Sequence, residues 1–192
     1  MKTVIIDYGA GNVFSVKSAF ERLGVHTLLT SDADEIKSAD RVIFPGVGHA
    51  TAALKQLREE TRLDLLISSL KQPVMGICLG MQLMCDYTEE GNQEGLGIFK
   101  GVKVIRFQQN LNIPHMGWNN LIDVKGKLEG LTEDFYFVHS YYAPVNPYTI
   151  ASCDYGLKFS ACMESDNFFA CQFHPEKSGK TGETLLKRFL EL

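Results

Sequence analysis

The 192-residue sequence predicts an α/β fold in three layers: a central, mostly parallel sheet flanked by helices and continued by a mixed or antiparallel extension. Three observations predict it. In the first half, short apolar or β-branched runs alternate with amphipathic segments, the pattern of strands covered on both faces by crossover helices. Glycine-rich turns follow three of those runs, at Gly9-Ala10-Gly11, Gly46-Val47-Gly48 and Gly76-x-Cys78-x-Gly80, where a parallel strand would pass into a helix. In the second half, strand-like runs predominate and helical periodicity is scarce, so the sheet must grow by strands joined without helices.

Thr3 to Asp7 is the first expected strand. After the Gly9-Ala10-Gly11 turn, Asn12 can cap a helix whose Val13, Val16, Phe20 and Leu23 share one face, and Gly24 is placed to end it. Val25 to Leu29, Arg41 to Phe44 and Val74 to Ile77 complete the parallel set, with His26 expected to be packed inside the second strand. His49 falls at the start of the helix after the second glycine turn, and Cys85 on an apolar helix running through Leu83 and Met84. Val102 to Phe107, Phe135 to Val138, Thr149 to Cys153 and Phe168 to Phe173 are the strands of the extension. Leu185, Leu186, Phe189 and Leu190 give Gly182 to Leu192 a helical apolar face that should pack back on the sheet. Thr88 to Gly97 is the expected flexible excursion. With no repeat or linker to divide it, the chain is expected to be one domain over residues 1–192.

Composition narrows the function classes. A net charge of −4, without a dense Lys/Arg cluster, gives no general attraction for nucleic acid or anionic lipid. The N-terminal apolar run is too short for a signal peptide, and no stretch approaches the roughly 20 apolar residues of a membrane span, so a cytoplasmic location with no membrane association is expected. Five cysteines, without a Cys-x-x-Cys pair, suggest neither a disulfide framework nor a zinc site. No metal or organic cofactor is expected.

Pro73-Val74-Met75-Gly76-Ile77-Cys78-Leu79-Gly80 is the most informative stretch. Glycines two residues either side of a central residue permit a sharp strand-to-helix turn that exposes the central side chain, as in the nucleophile elbow of hydrolases. The start of the next helix favours a thiolate there, and the Leu79 amide can donate to an oxyanion. The alternative is a buried core cysteine between two structural glycines. A second signal is Phe173-His174-Pro175-Glu176 at a strand end. Residues two apart on an extended chain point the same way, and Pro175 should hold the intervening backbone extended. Glu176 could then fix the His174 tautomer, leaving the other ring nitrogen for the Cys78 proton. A third is Phe44-Pro45-Gly46-Val47-Gly48, a turn at the carboxyl end of a parallel strand, where open α/β sheets bind ligands. Gly9-Ala10-Gly11 suggests a dinucleotide fingerprint, but Phe14 stands where its third glycine should be.

Gly76-x-Cys78-x-Gly80, His174-Pro175-Glu176 and the Gly46–Gly48 turn together resemble the class I, triad-type glutamine amidotransferases over nearly the whole chain. Asp7-Tyr8-Gly9-Ala10-Gly11-Asn12, Pro114-His115-Met116-Gly117-Trp118-Asn119 and His139-Ser140-Tyr141-Tyr142 are similar to the branch of that family serving histidine biosynthesis. The resemblance implies a flavodoxin-like core and hydrolysis of L-glutamine to L-glutamate and ammonia by a triad of Cys78, His174 and Glu176. It implies an oxyanion hole from the amides of Val47 and Leu79, and glutamine held by Gly46, Gly48, Gln82, His139, Ser140 and Tyr141. It also implies that Asn12, Pro114, His115, Met116, Gly117, Trp118 and Asn119 face a separate (β/α)-barrel cyclase in a heterodimer. That cyclase would use the ammonia to make imidazole glycerol phosphate and an aminoimidazole carboxamide ribotide, with glutaminase activity low until its own substrate is bound. This chain has no eightfold strand–helix repeat, so the synthase half is expected to be another polypeptide. The alternatives are an ammonia donor for pyridoxal phosphate, guanylate or anthranilate synthesis, and a non-catalytic glutamine-binding regulatory module.

Overall fold

The computed structural model describes residues 1–9, 12–108 and 111–192, with Glu60 described by its backbone alone. Among these residues a seven-stranded sheet runs in the order β11-β12-β13-β4-β3-β1-β2, made of β1 (Thr3–Ile6), β2 (Thr27–Thr30), β3 (Arg41–Gly46), β4 (Val74–Cys78), β11 (Thr149–Asp154), β12 (Lys158–Ser165) and β13 (Phe168–Cys171). The pairs from β13 through β4, β3 and β1 to β2 are parallel, whereas β12 and β11 add on antiparallel. This is the mixed sheet expected from the change of pattern at mid-chain.

Alternation along the strands builds the three layers. Val4, Ile6, Val42, Phe44 and Val74 face one core, with α3 (Ala50–Lys55) and α4 (Asp64–Ser69) over it. Ile5, Ile43, Met75 and Ile77 face the other, beneath α1 (Val13–Arg22) and α6 (Gly179–Leu190). Strands buried on both faces need this two-sided apolar pattern, which is why they read as continuous runs. The α1 caps are as expected: the Asn12 side chain accepts from the Ser15 amide, and Gly24 sits at φ +76° just past the helix end. Ala10 and Gly11 of the turn before it lie outside the described residues, as does any test of a nucleotide fingerprint there.

A four-stranded sheet, ordered β10-β7-β5-β6, packs on the first core and holds β5 (Cys85–Thr88), β6 (Gln93–Glu94), β7 (Phe99–Arg106) and β10 (Tyr141–Tyr142). A two-stranded ribbon, β8 (His115–Asn120) with β9 (Asp134–His139), packs on the second. Two expectations are corrected. Cys85 lies on β5 because α5 (Leu79–Leu83) ends three residues after Gly80 and the chain turns directly into the next strand. His26 is exposed before β2 instead of packed within it. The excursion at Thr88 to Gly97 carries β6 and is tied to α3 through Glu90, which accepts from the Ala50 amide at 2.7 Å. No helix among the described residues is long and apolar enough to cross a membrane.

Candidate active site

Cys78 ends β4 and stands immediately before α5 with φ +53° and ψ −109°, a conformation uncommon for a residue with a side chain. The flanking glycines let the chain hold it. A Cβ on Gly80 would lie 2.0 Å from the Phe44 carbonyl oxygen, and one on Gly76 would lie 2.8 Å from the Met84 sulfur. The turn is thus pressed against β3 and its own helix from both sides, and the side chain between them is directed into a cleft. Strained residues of this kind cluster at functional sites.

The cleft, of about 480 Å³, is lined by Cys78 and His174 together with Val47, Gly48, Leu79, Gln82, Ser140 and Tyr141. Residues from three separate signals in the sequence therefore meet. Gly46 pairs with Cys78 across β3 and β4, and the Tyr8 hydroxyl donates to the Pro45 carbonyl at 2.9 Å, which pins the start of the glycine turn. Asn12 and Pro114 reach the rim of the same cleft.

His174 and Glu176 are both buried, with His174 Nδ1 2.7 Å from Glu176 Oε1. The backbone between them is not extended as the sequence suggested. Pro175 opens a 3-10 turn over Pro175–Lys177, a position where a proline lacks nothing by lacking an N–H, and the turn brings the carboxylate round to the ring. The His174 amide donates to Tyr136 on β9, and its carbonyl accepts from Ser178, so the ring is clamped by its own main chain. Burial disfavours the imidazolium, but hydrogen bonding to Cys78 and Glu176 and the charges of both outweigh it and raise the His174 pKa to about 10. A carboxylate behind the ring and a sulfur before it is the arrangement by which one imidazole can take and return a proton.

The other four cysteines, Cys85, Cys153, Cys162 and Cys171, are buried and unpaired, and burial pushes each thiol upward. They stay protonated and inert.

Other expected site residues take different positions. Gln82 is buried, and its Nε2 donates to the Tyr141 carbonyl at 2.9 Å and to Gln172 Oε1 at 3.0 Å, so only its carbonyl oxygen is left to a ligand. His139 has both ring nitrogens engaged, Nδ1 with the Tyr141 carbonyl at 2.8 Å and Nε2 with His115 Nδ1 at 3.0 Å. It can shape the cleft but has no ring nitrogen to offer. His115 is buried, stacked on Phe137 and Tyr155, because alternation on β8 turns it inward while Met116 and Trp118 face out. Its side chain is therefore no part of an exposed interface. Asn119 also turns back, donating to the Asp154 carbonyl. Trp118 is 57% exposed with Tyr136 edge-on at 5.9 Å, and Met116 is 62% exposed.

Sequence reading missed Gln172, Glu90, Val138 and Lys177, which lie on or behind the cleft wall. Gln172 carried a usable signal, since the sequence reads as a strand through Phe173 and places it two residues before His174, although β13 itself ends at Cys171.

The buried histidine pair makes a pH prediction. Burial, with a smaller opposing push from the Tyr141 hydrogen bond and a further lowering by the charges of His115 and His174, brings His139 down to about 3; burial alone brings His115 to about 4. The unfolded chain takes up these protons near 6.5, whereas the folded chain refuses them. Stability should therefore fall as pH drops below about 6.5, by up to about 1.4 kcal/mol per pH unit for each histidine. Denaturant melts between pH 7 and 4.5 should show this slope, and His139→Gln should flatten it; an equal slope in both chains would refute the burial argument.

A family model described as Glutamine amidotransferase class-I matches residues 4–192. A protein of Bacteroides fragilis (strain YCH46) named imidazole glycerol phosphate synthase subunit HisH is 52% identical, with all of both chains covered. One of the same name from Idiomarina loihiensis is 47% identical over all of this chain and 98% of its own, and one from Haemophilus influenzae (strain 86-028NP) is 47% identical over 97% and 96%. Among solved structures, one described as a glutamine amidotransferase superposes with a TM-score of 0.75 at 20% identity, covering 98% of this chain and 97% of that one. A likeness at that identity speaks for the fold, and it matches the three-layer sheet described above.

Proposed function

The chain belongs to the class-I glutamine amidotransferase family, and from that premise we infer that it is the glutaminase subunit of an imidazole glycerol phosphate synthase, hydrolysing L-glutamine to L-glutamate and ammonia. The observation that carries the chemistry is Cys78, held at positive φ in a cleft, with His174 beside it and Glu176 2.7 Å behind the imidazole. The pathway rests on relatives of that name that are 47 to 52% identical over nearly their full lengths.

In this mechanism the Cys78 thiolate adds to the carboxamide carbon of glutamine, and the amides of Leu79 and Val47 receive the developing oxyanion. The His174 imidazolium passes its proton to the departing nitrogen, so ammonia leaves and a γ-glutamyl thioester remains. Water, deprotonated by His174, then cleaves the thioester to glutamate and restores the thiolate. Glu176 keeps the ring in one tautomer throughout. The carbonyl of Gln82 and the Ser140–Tyr141 segment are the proposed contacts for the α-amino and carboxylate groups of glutamine, with Gly46, Gly48 and His139 shaping the cleft around it. The chain acts as one domain.

A separate (β/α)-barrel cyclase is the proposed acceptor of the ammonia. Its docking face is proposed at Met116 and Trp118 on β8, together with Asn12, Pro114 and Gly117; support comes from large apolar side chains left exposed there and from Asn12 and Pro114, which line the cleft. The test is a glutaminase assay of this chain alone, with the cyclase, and with the cyclase plus its nucleotide substrate. Strong stimulation in the last case alone is expected. Full activity of the isolated chain, or stimulation by a different synthase, would overturn the assignment.

A further inference from the structure

Gln172 is fully buried, two residues before His174, and the mechanism above does not use it. Its side chain lies at the end of a run of hydrogen bonds whose directions can be worked out from one fixed point. The Tyr141 carbonyl can only accept. The group of Gln82 that meets it at 2.9 Å is therefore the NH₂, and the other proton of that NH₂ goes to the oxygen of Gln172 at 3.0 Å. This orients the Gln172 amide so that its own NH₂ points at the Cys78 sulfur, 3.7 Å away. The same Tyr141 carbonyl receives His139 Nδ1–H, which obliges His139 Nε2 to accept from His115. Every orientation in the series agrees, and it ends on a donor directed at the sulfur.

We propose that Gln172 is the hydrogen-bond donor that stabilises the Cys78 thiolate, held in that orientation by Gln82 and the Tyr141 carbonyl. In the neutral thiol, Cys78 is 3.8 Å from the Val138 carbonyl, to which S–H can donate. Loss of the proton ends that bond and makes the sulfur a much stronger acceptor for the Gln172 N–H, so the amide favours the charged form. His174 acts on the same sulfur from within the cleft; Tyr8 and Cys171 lie near it but are kept neutral by burial; and Glu90 and Lys177 stand on the cleft wall. Of these, His174 supplies a charge that moves during turnover, whereas Gln172 supplies a dipole that does not. The inference rests on the reading of Cys78 as the nucleophile.

The test is the pH dependence of iodoacetamide alkylation at Cys78, followed on its own peptide by mass spectrometry, in the full chain and in two variants. Gln172→Glu keeps the shape and can still accept from Gln82, but when ionised it has no proton to donate and sets a negative charge beside the sulfur; Gln172→Met removes the polar group altogether. Thermal melts select conditions in which each variant is folded. The midpoint of the profile is expected to rise by about one pH unit in Gln172→Met, the size of losing one hydrogen bond to a charged group, and by more in Gln172→Glu, where repulsion adds to that loss. Alkylation needs no glutamine, so a change in binding cannot mimic the result. Midpoints that stay in place while Cys78 of the unsubstituted chain remains far more reactive than in the unfolded chain would overturn the role of Gln172 alone. A Cys78 that reacts no faster when folded than when unfolded would overturn the nucleophile reading and this inference with it.

Discussion

Replacing Cys78 by alanine should lower glutamine hydrolysis by about six orders of magnitude, the loss seen when the nucleophile of a covalent triad is removed. The substitution takes away a single sulfur and leaves the rest of the cleft in place. It should cost little stability, because alanine has no larger volume to fit at a position that tolerates a side chain at φ +53°. Synthesis from free ammonium by the assembled enzyme should persist, since the cyclase would receive the same nucleophile from solution. Measuring glutamine-dependent and ammonium-dependent turnover side by side separates the two. Retention of the glutamine-dependent rate would remove Cys78 from the mechanism.

Glu176→Gln is expected to lower kcat by about 10⁴, the scale on which a triad suffers when its carboxylate becomes an amide. The isosteric side chain still reaches His174, but its NH₂ competes for Nδ1 and permits the tautomer in which the other nitrogen carries the proton and cannot accept one. The positive charge on His174 also loses its partner. The high pKa of about 10 depends on Cys78 and Glu176 outweighing burial, so removing one carboxylate should move the alkaline limb of the pH–rate profile downward. The same linkage bears on stability: the part that Glu176 contributes through His174 is complete below about pH 6.5 and fades as pH rises toward 10. A variant within tenfold of the parent rate, with an unmoved alkaline limb, would leave Glu176 a structural role only.

The parallel core and the elbow were legible because each carries a redundant signal. Apart from Thr3 and Arg41 at their starts, β1, β3 and β4 carry no polar side chain outside the Cys78 turn, and Gly76 and Gly80 sit where the Met84 sulfur and the Phe44 carbonyl exclude a Cβ. Less was legible where pairing partners, instead of local preference, make the strand. β8 contains histidine, glycine and two asparagines, and it is a strand because β9 pairs with it along its whole length. β12, Lys-Phe-Ser-Ala-Cys-Met-Glu-Ser, is rich in small residues that give little strand signal, although its register with β13 and β11 extends the main sheet. In the site, the residue types of the Cys-His-Glu set could be read from spacing. The commitment of Gln82 and His139 to internal hydrogen bonds could not, because it depends on the fold bringing Tyr141 and Gln172 between them.

Trp118 is the sole tryptophan of the chain, and it stands half exposed on the face proposed for the cyclase. Indole emission moves to shorter wavelength when water leaves the ring. The intrinsic fluorescence of this subunit therefore comes from one known point, against Tyr136, whose carbonyl receives the His174 amide. Docking can be followed there without a label, at a position two paired strands away from the base that the docked partner would set to work.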